Sequence, residues 1–533
     1  MLSRDIEPDP KPWESSPMDK NAAVEQGSIK NPSDGEQTGS DQEESKEDEN
    51  LVTWDGPDDP ANPLNWARSK KWICTWIIAT FAFISPLSST MLAPALPTIA
   101  KEFKISSSME EALVMSIFLL AYAIGPFLLG PLSEIYGRVV VLQTANMVYL
   151  IFNTLCGISR SKQQILAFRF LSGLGGSAPQ TVNDPTENPP SKKIINVGFC
   201  YLAERRFAPF IGPVVGPIAA GYIAQHTSWR WIFWATSIFD AVVQILAFIF
   251  LSETYAPKIL ATKAKKLRRE TGNENLRTKW ETPDRSLFQI LRKNLSRPFI
   301  MLFTQPAIQV LGLYRAYLYG LMYLVLATFP LVWEQAYKFS LGIASLHYIS
   351  LGIGFVIGLQ ICAPLNDRVK SSPVSYYLSP INQTQAYCAL KKRYSHPGQP
   401  EFRIPLMIPA GLLVPIGIFL YGWSTHYRTH WIIPDIGCAI FAMGLIIGFQ
   451  CVQSYVVDSY PRYAASATGA VAFLRTMAGF GFPLFGSQLY ETLGLGWGNS
   501  LLGFISLTLG IFAPWGLWHY GEKLRAISGY CSG

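Results

Sequence analysis

Twelve apolar stretches, each near the length needed to cross a lipid bilayer, constrain this chain more than any other feature of its sequence. About 20 apolar residues span the hydrocarbon core as a helix, and a helix satisfies its own backbone hydrogen bonds there. We therefore predict an all-α membrane protein with twelve transmembrane helices in two groups of six. The predicted spans are Trp72–Leu96, Ala112–Leu132, Val139–Ile158, Gln163–Val182, Phe207–Ala224, Trp231–Leu251, Ile308–Leu331, Ile343–Pro364, Ile404–Gly422, Trp431–Val457, Ala464–Phe485 and Trp497–Trp518.

The composition supports this interpretation. Of 533 residues, 49% are hydrophobic and 15% are charged, whereas about a quarter of the residues in a soluble protein are charged. The mean hydropathy is +0.20. These values argue against a soluble enzyme, a secreted scaffold or a disordered protein. The eight cysteines form no C-x-x-C pair, the six histidines show no metal-ligand spacing and the sequence has no P-loop. We therefore expect no disulfide framework, no metal, no cofactor and no ATP-driven pump.

The distribution of charge predicts the orientation of the chain. Residues 1–50 contain 14 acidic and 5 basic side chains, a composition typical of a disordered tail. Twelve basic residues lie between Lys258 and Arg297, in the loop after the sixth span. Because basic loops stay in the cytoplasm, we expect both termini and this loop to be cytoplasmic. The predicted domains are an acidic tail (1–66), a first six-helix half (67–251), a basic linker (252–305), a second six-helix half (306–520) and a C-terminal tail (521–533).

A short motif recurs in the loops after the second and eighth spans. The first loop begins Gly130-Pro-Leu-Ser-Glu134, and the second begins Ala363-Pro-Leu-Asn-Asp367. A small residue, Pro-Leu, a small polar residue and a carboxylate thus recur at equivalent places in the two halves. Transporters that rock about a central site are built from such repeats.

The longer run from Gly130 to Arg138, Gly-Pro-Leu-Ser-Glu-Ile-Tyr-Gly-Arg, resembles the loop signature of the major facilitator superfamily. The resemblance implies the fold of that family, with two six-helix halves, and a loop that acts as a conformational latch. Glycines in this loop permit a tight turn and close packing, and its charged residues can form switchable contacts with helix ends. The latch residues implied by the resemblance are Gly130, Glu134, Gly137, Arg138, Asp367 and Arg368.

Two further motifs extend the resemblance. Arg169 in the fourth span precedes a run of small residues and is similar to the family's second signature, which implies a role in proton coupling. The fifth span contains Gly212-Pro213-Val-Val-Gly216-Pro217, similar to the signature associated with antiporters, which implies export. Gly212 and Gly216 lie on one helix face and permit close helix contact, and the prolines bend the helix.

Shorter runs resemble the twelve-span drug:proton antiporters of fungal type, a group that contains polyamine and multidrug exporters. These runs are Asn62–Trp66, Ser85–Pro94, Glu253–Pro257 and Phe482–Gly486.

Two segments, 183–206 and 369–387, depart from the pattern of that family. Both are polar where relatives would continue with a span end or a short loop. Two explanations stay open: a wrongly predicted splice junction, or genuine divergence of a loop, which loops tolerate. Transcript sequencing that finds both segments in mature message would rule out the first.

Few charged residues lie inside the predicted spans. Asp240 is the one carboxylate deep in a span, and a buried carboxyl group can load and release a proton during a transport cycle. We therefore name Asp240 and Arg169 as proton-coupling candidates; a purely structural pairing of Asp240 stays open. Tyrosines, glutamines and two more buried arginines predict a substrate cavity, although a tyrosine stripe is more often simple packing. The cavity candidates are Tyr314, Arg315, Tyr319, Tyr323, Gln450, Gln453 and Arg475.

These features predict a secondary active transporter and not an enzyme. We expect proton-coupled efflux of small amphipathic molecules, such as drugs, toxins or polyamines, by alternating access. Three buried arginines against one aspartate do not favour a polyamine, and an anionic or neutral molecule fits as well. The expected partners are a small-molecule substrate, protons and the lipid bilayer, without nucleic acid, and the expected form is a monomer in the plasma membrane. A proton-coupled nutrient importer and a non-transporting sensor on the same fold stay open as alternatives.

Overall fold

The computed structural model describes residues 50–56, 58–182, 195–280, 287–362, 390, 393, 399–528 and 530–531, with the side chains of 181–182, 195–207, 287–294 and 462 left aside. Across these residues the chain is almost entirely helical. Among them one isolated backbone bridge joins Leu51 and Arg277 outside the helices. The segments 183–206 and 369–387, and the predicted latch residues Asp367 and Arg368, lie wholly or partly outside the described residues.

Sixteen helices are described and numbered here in chain order. They are α1 (Arg68–Thr90), α2 (Leu96–Glu102), α3 (Ser108–Tyr136), α4 (Arg138–Ile158), α5 (Lys162–Gly176), α6 (Ala178–Val182), α7 (Ile195–His226), α8 (Arg230–Phe250), α9 (Ala256–Thr271), α10 (Leu287–Thr304), α11 (Pro306–Gln335), α12 (Leu341–Leu346), α13 (Tyr348–Cys362), α14 (Met407–His426), α15 (Ile432–Ser459) and α16 (Ala464–Ala526).

These helices account for the twelve predicted spans. Within the described residues, nine helical segments are long and apolar enough to cross a membrane. One of them, α16, makes two passes, because Gly494 has a φ of 72° and interrupts the helical backbone between the eleventh and twelfth spans. The other two passes are α5 with α6, which break at Ser177, and α7. The all-α fold class with twelve transmembrane helices is therefore confirmed.

The helix that contains the fifth span is longer than the predicted span. We expected it at Phe207, where the apolar stretch begins, but α7 already begins at Ile195. The polar residues Glu204, Arg205 and Arg206 lie within the helix. Hydropathy locates the part of a helix that lies in lipid, whereas backbone hydrogen bonds decide where the helix begins.

The helices pack as two halves that contact each other on both sides of the bundle. Helix α3 packs on α16, and α7 packs on α12 and α13. On the side where α10 packs, which we call the linker side, Phe127 of α3 lies 4.8 Å from Phe299 of α10 and 5.5 Å from Phe473 of α16 between ring centroids. On the opposite side, Gln225 of α7 accepts a hydrogen bond of 2.6 Å from the backbone N–H of Gly342.

The chain just before α1 is folded against the linker. The backbone N–H of Val52 donates to the carbonyl of Arg277 at 2.8 Å, and Lys263 of α9 forms an ion pair with Asp55 at 2.6 Å. The backbone N–H of Asp55 donates to the carboxylate of Asp59. This hydrogen bond is the largest cause of the lowered pKa of Asp59, and the charge of Lys263 lowers that pKa further. The acidic residues at this point of the chain thus bind the basic linker.

Two spans of the second half meet at glycine. A Cβ atom at Gly510 of α16 would lie 2.7 Å from the backbone of Gly411 in α14, and a Cβ atom at Gly411 would lie 2.5 Å from the carbonyl oxygen of Gly510. Because neither residue has a side chain, the two backbones touch directly. This close approach is the kind of contact that holds helices together in lipid, where the hydrophobic effect between helices is absent.

We predict that Gly510→Ala lowers the stability of the folded protein by about 1–3 kcal/mol, because the added methyl group must push α14 and α16 apart. The matched control is Gly516→Ala in the same helix, where a Cβ atom would meet nothing within 4 Å. Thermal unfolding in detergent, followed by fluorescence-detected size exclusion, compares the two variants. Equal melting temperatures would contradict the described contact.

Candidate functional site

The polar residues in the middle of the bundle converge on α1. The hydroxyl of Ser88 is hydrogen-bonded to the hydroxyl of Tyr149 in α4, within the first half. The hydroxyl of the next residue, Ser89, is hydrogen-bonded to that of Tyr323 in α11 at 2.7 Å, across to the second half. Both serines are buried. Helix α1 therefore carries a polar connection between the interiors of the two halves.

Arg169 of α5 is fully buried and lies beside the same helix. Its Nη1 donates to the carbonyl of Ser88 at 3.1 Å, and its Nη2 donates to the carbonyl of Met115 at 3.4 Å. The guanidinium carbon also lies 4.7 Å from the ring centroid of Phe118. None of the carboxylates in the described parts of the chain pairs with it. Carbonyl dipoles and an aromatic face stabilise this charge in place of an acid.

Asp240 of α8 is also fully buried. The amide of Asn146 donates to both carboxylate oxygens at 3.1 Å each and also lies 2.9 Å from the amide oxygen of Gln244. The two proton-coupling candidates therefore lie in the same half but do not contact each other. Tyr149 follows Asn146 on α4 by three residues, or about one turn. Its hydroxyl is bonded to that of Ser88, the residue whose carbonyl accepts from Arg169.

The small residues of the fifth span press α7 against α1. A Cβ atom at Gly212 would lie 2.8 Å from the carbonyl oxygen of Phe83, and one at Gly216 would lie 2.7 Å from that of Leu87. The close contact predicted for this motif is thus found, and its partner is the helix that carries Ser88 and Ser89.

The prolines of the same motif free a hydrogen-bond acceptor. Pro217 has no N–H and cannot donate to the carbonyl of Pro213 one turn earlier. That carbonyl accepts a hydrogen bond of 3.4 Å from the hydroxyl of Thr90 in α1 instead. The glycines and prolines of α7 therefore bind the last two turns of α1, the glycines through close backbone packing and the prolines through a released carbonyl.

The predicted latch is only partly assembled as expected. Gly137 connects α3 to α4 with a φ of 100°, and a Cβ atom there would lie 2.5 Å from the carboxylate of Glu253. Gly130 differs, because it lies within α3 and nothing lies within 4 Å of its would-be Cβ; the close packing expected there was wrong. Glu134 is exposed at the end of α3, and Arg138 stacks 4.9 Å from the ring centroid of Tyr255.

Sequence reasoning missed Glu253 as a site residue. Its carboxylate accepts a hydrogen bond from the backbone N–H of Val139 at 3.2 Å, in the first turn of α4, where the helix dipole favours an anion. The available signal was the run Glu253–Pro257, which we had used only to recognise the subfamily. The acid therefore fixes the loop at Gly137 from the end of α8.

The cavity candidates of the second half meet near the interface between the halves. Arg315 of α11 donates to the amide oxygen of Gln453 in α15 at 2.5 Å. Arg475 of α16 lies 4.8 Å from the ring centroid of Tyr319, which in turn lies 4.9 Å from that of Tyr323. Most of the predicted cavity residues are thus brought together.

The remaining members of the set lie at its edge. Tyr314 is buried, and no described residue is hydrogen-bonded to its hydroxyl. Gln450 is half-buried on α15. Tyr122 of α3 was not predicted, although it lies within electrostatic range of both Tyr319 and Arg475. An aromatic residue with a polar group in the second span was the signal that could have found it. In the described portion of the chain, no group of three or more His, Cys, Asp or Glu side chains could hold a metal ion.

Comparison with known proteins agrees with this geometry. The family model described as Major Facilitator Superfamily matches residues 78–184 and 202–483. The chain is 43% identical to the efflux pump vrtL of Penicillium aethiopicum over 91% of this chain and 92% of that protein. It is 38% identical to the efflux pump radE of Floropilus chiversii, over 91% of this chain and 87% of that protein.

A solved structure shows the same fold. The partially occluded, inward-open xylose transporter XylE from Escherichia coli superposes with a TM-score of 0.55 and 15% sequence identity, over 84% of this chain and 99% of that chain. The family model leaves residues 185–201 unmatched, which lie inside the segment 183–206 that departs from the family pattern.

We predict that Arg169→Met leaves the protein folded, with a melting temperature equal to or above that of the parent chain, because it removes a buried charge that has no acidic partner among the described residues. The rate of export of a fluorescent amphiphile from loaded proteoliposomes should fall by about tenfold or more. A tenfold fall corresponds to an increase of about 1.4 kcal/mol in the activation free energy. The matched control is Arg230→Met, which should transport normally. Arg230 lies away from this site and forms an ion pair of 2.6 Å with Glu102. A stable Arg169→Met protein with normal export would show that the charge serves no transport step.

Proposed function

Because the chain belongs to the major facilitator superfamily of membrane transporters, we propose that it exports small amphipathic molecules in exchange for protons. Export is supported by the relatives that are named efflux pumps and by the close packing of the fifth-span motif on α1. The observation that carries the proposal is the position of α4, which binds Asp240 through Asn146 and, about one turn later, binds Ser88 of α1 through Tyr149.

Asp240 is the proton-binding group in this proposal. When it is ionised, both oxygens accept hydrogen bonds from Asn146. When it is protonated, one oxygen becomes a donor, and the hydrogen bonds around it must rearrange. Because Asn146 and Tyr149 lie about one turn apart on α4, and Tyr149 is bonded to Ser88, that rearrangement acts on the helix that binds α1.

Helix α1 passes the change to the second half. Ser89 is adjacent to Ser88 and is hydrogen-bonded to Tyr323, which lies beside Tyr319 in the proposed cavity. Protonation in the first half and substrate binding in the second half thus act on neighbouring residues of one helix. A coupling of this kind needs two global states with different contacts, which both ligands bias.

The two states differ in which contact between the halves is broken. Opening toward the linker side separates Phe127 from Phe299 and Phe473, and opening toward the other side separates Gln225 from Gly342. The substrate enters from the linker side, and release on the opposite side is followed by protonation and return. Basic residues of the linker support a cytoplasmic linker side and cytoplasmic termini, and we propose a monomer in the plasma membrane.

We predict that Asp240→Asn abolishes the dependence of export on a pH gradient, because asparagine keeps the size of the side chain but binds no proton. Proteoliposomes are loaded with rhodamine, Nile red or anilinonaphthalene sulfonate, and export is measured with and without an imposed gradient. The parent chain should export at least one probe faster with the gradient, by about tenfold, and the variant should show no acceleration.

The matched control for this experiment is Glu491→Gln. Glu491 is exposed and accepts a hydrogen bond from Ser108 at 3.2 Å, and its neutralisation should leave the acceleration intact. Export of all probes at the same rate in the presence and absence of the gradient would reject proton coupling. Gradient-driven uptake in place of export would favour a nutrient importer.

A further inference from the structure

Two arginines of the second half lie near each other without a balancing acid among the described residues. Arg315 is 8% exposed, and Arg475 is half-buried. The two guanidinium groups lie over neighbouring rings, Phe449 and Tyr319, whose centroids are 5.9 Å apart, so the like charges are close enough to repel each other. In the parts of the chain that the structure describes, no carboxylate lies within ion-pair distance of either one. Such a pair of like charges in a low dielectric is unfavourable unless an anion joins it.

Three described carboxylates of the second half are already engaged elsewhere. Asp435 lies 2.7 Å from His347, Asp458 is paired with Arg403 at 2.8 Å, and Glu401 is paired with Arg525 at 2.9 Å. Glu334 lies on the same helix as Arg315 but nineteen residues later, which places it about 28 Å away along the helix axis. The two arginines therefore cannot be neutralised by these acids in the present arrangement.

The hydrogen-bonding capacity of the pair is also unfilled. The Nε atoms of Arg315 and Arg475 are buried and have no hydrogen-bond partner among the described residues. The same holds for the hydroxyl of Tyr314, in the turn that carries Arg315. The one hydrogen bond of the Arg315 guanidinium to another side chain goes to neutral Gln453. A guanidinium group presents its N–H donors as a planar fork that matches a carboxylate, so the unfilled donors fit an anionic group of a ligand.

Aromatic rings line the same place. Arg475 lies over Tyr319, and Arg315 lies 5.9 Å from the ring centroid of Phe449. Tyr319 and Phe449 are themselves 5.9 Å apart between centroids, so the two charges lie over adjacent rings. The site thus offers flat apolar faces for a ring system beside donors for a negative group.

We propose that Arg315 and Arg475 bind the negative group of an aromatic monoanion, such as an aromatic carboxylate, and that this is the substrate class of the transporter. The inference rests on the proposed export function and names the ligand of the same central site. The bound anion neutralises the repulsion between the two arginines. A polyamine or another cation adds to that repulsion and is excluded from this site.

The proposal has a consequence for the energetics of the cycle. When one proton moves inward and one monoanion moves outward, each movement transfers one positive charge toward the inside. Export is then driven by an inside-negative membrane potential as well as by the pH gradient. Exchange of one proton for one monovalent cation would move no net charge.

The test uses naphthoate as the probe, with the neutral naphthamide as its matched uncharged analogue. Binding to the purified full-length protein in detergent is measured at equilibrium by calorimetry, without any gradient. We expect naphthoate to bind at least about tenfold more tightly than naphthamide, and Arg315→Gln and Arg475→Gln each to remove most of that preference. The matched control is Arg160→Gln, because Arg160 is exposed at the end of α4, and its neutralisation should leave the preference unchanged.

Thermal unfolding of each variant without ligand separates binding from folding. We expect Arg315→Gln and Arg475→Gln to be as stable as the parent chain, since each removes a like-charge repulsion. Arg315→Lys, which keeps the charge but loses the planar fork, should retain part of the preference and reports on the site if a glutamine variant fails to fold. Equal binding of naphthoate and naphthamide, absence of naphthoate binding, or a preference that survives both glutamine variants would overturn the proposal.

The outcome is independent of proton coupling. If export proves insensitive to the pH gradient while naphthoate still binds through the two arginines, the proposed coupling fails and the substrate class stands. If the gradient drives export but the parent protein prefers naphthamide or a naphthyl amine, the substrate class fails and the coupling stands.

Discussion

A positive charge without an acidic partner among the described residues organises the first half of this protein. The guanidinium of Arg169 is fully buried and depends on the carbonyls of Ser88 and Met115 and on the face of Phe118. Those acceptors lie on α1 and α3, so both helices must keep their position relative to α5 for the charge to stay solvated by the protein. The glycines of α7 fit this requirement, because they let α7 press against α1 with no side chain between the backbones.

The two halves divide the polar chemistry between them. The first half holds the acid, Asp240, within a hydrogen-bonded set of neutral amides, and the second half holds two arginines among tyrosines. Ser88 and Ser89 stand between the two sets as neighbours on α1, with one side chain turned to each half. Since consecutive residues of a helix cannot move independently, an event in one half cannot displace one serine without displacing the other.

The sequence predicts the passes through the membrane well, because lipid demands long apolar helices and the pattern of hydropathy records that demand directly. It also locates Arg169 and Asp240 inside spans. It does not show that these two residues have separate partners, because the direction in which each helix face points is set by packing rather than by hydropathy. For the same reason Glu253 escaped notice and Gly130 was assigned a close contact that it does not make. The early start of α7 was missed because polar residues can extend a helix beyond the lipid.

The seal on the linker side contains a residue from the connection between the halves. Phe299 of α10 packs on one ring from each half, so this connection is a part of the closed state and not only a tether. Linkage then applies in both directions. A soluble protein or a modification that stabilises α10 in its packed position would slow the opening of the linker side. Conversely, a transport cycle in progress would change the accessibility of α10 to such molecules. The segment between the halves is thereby a readout of the transport state that molecules outside the membrane can reach.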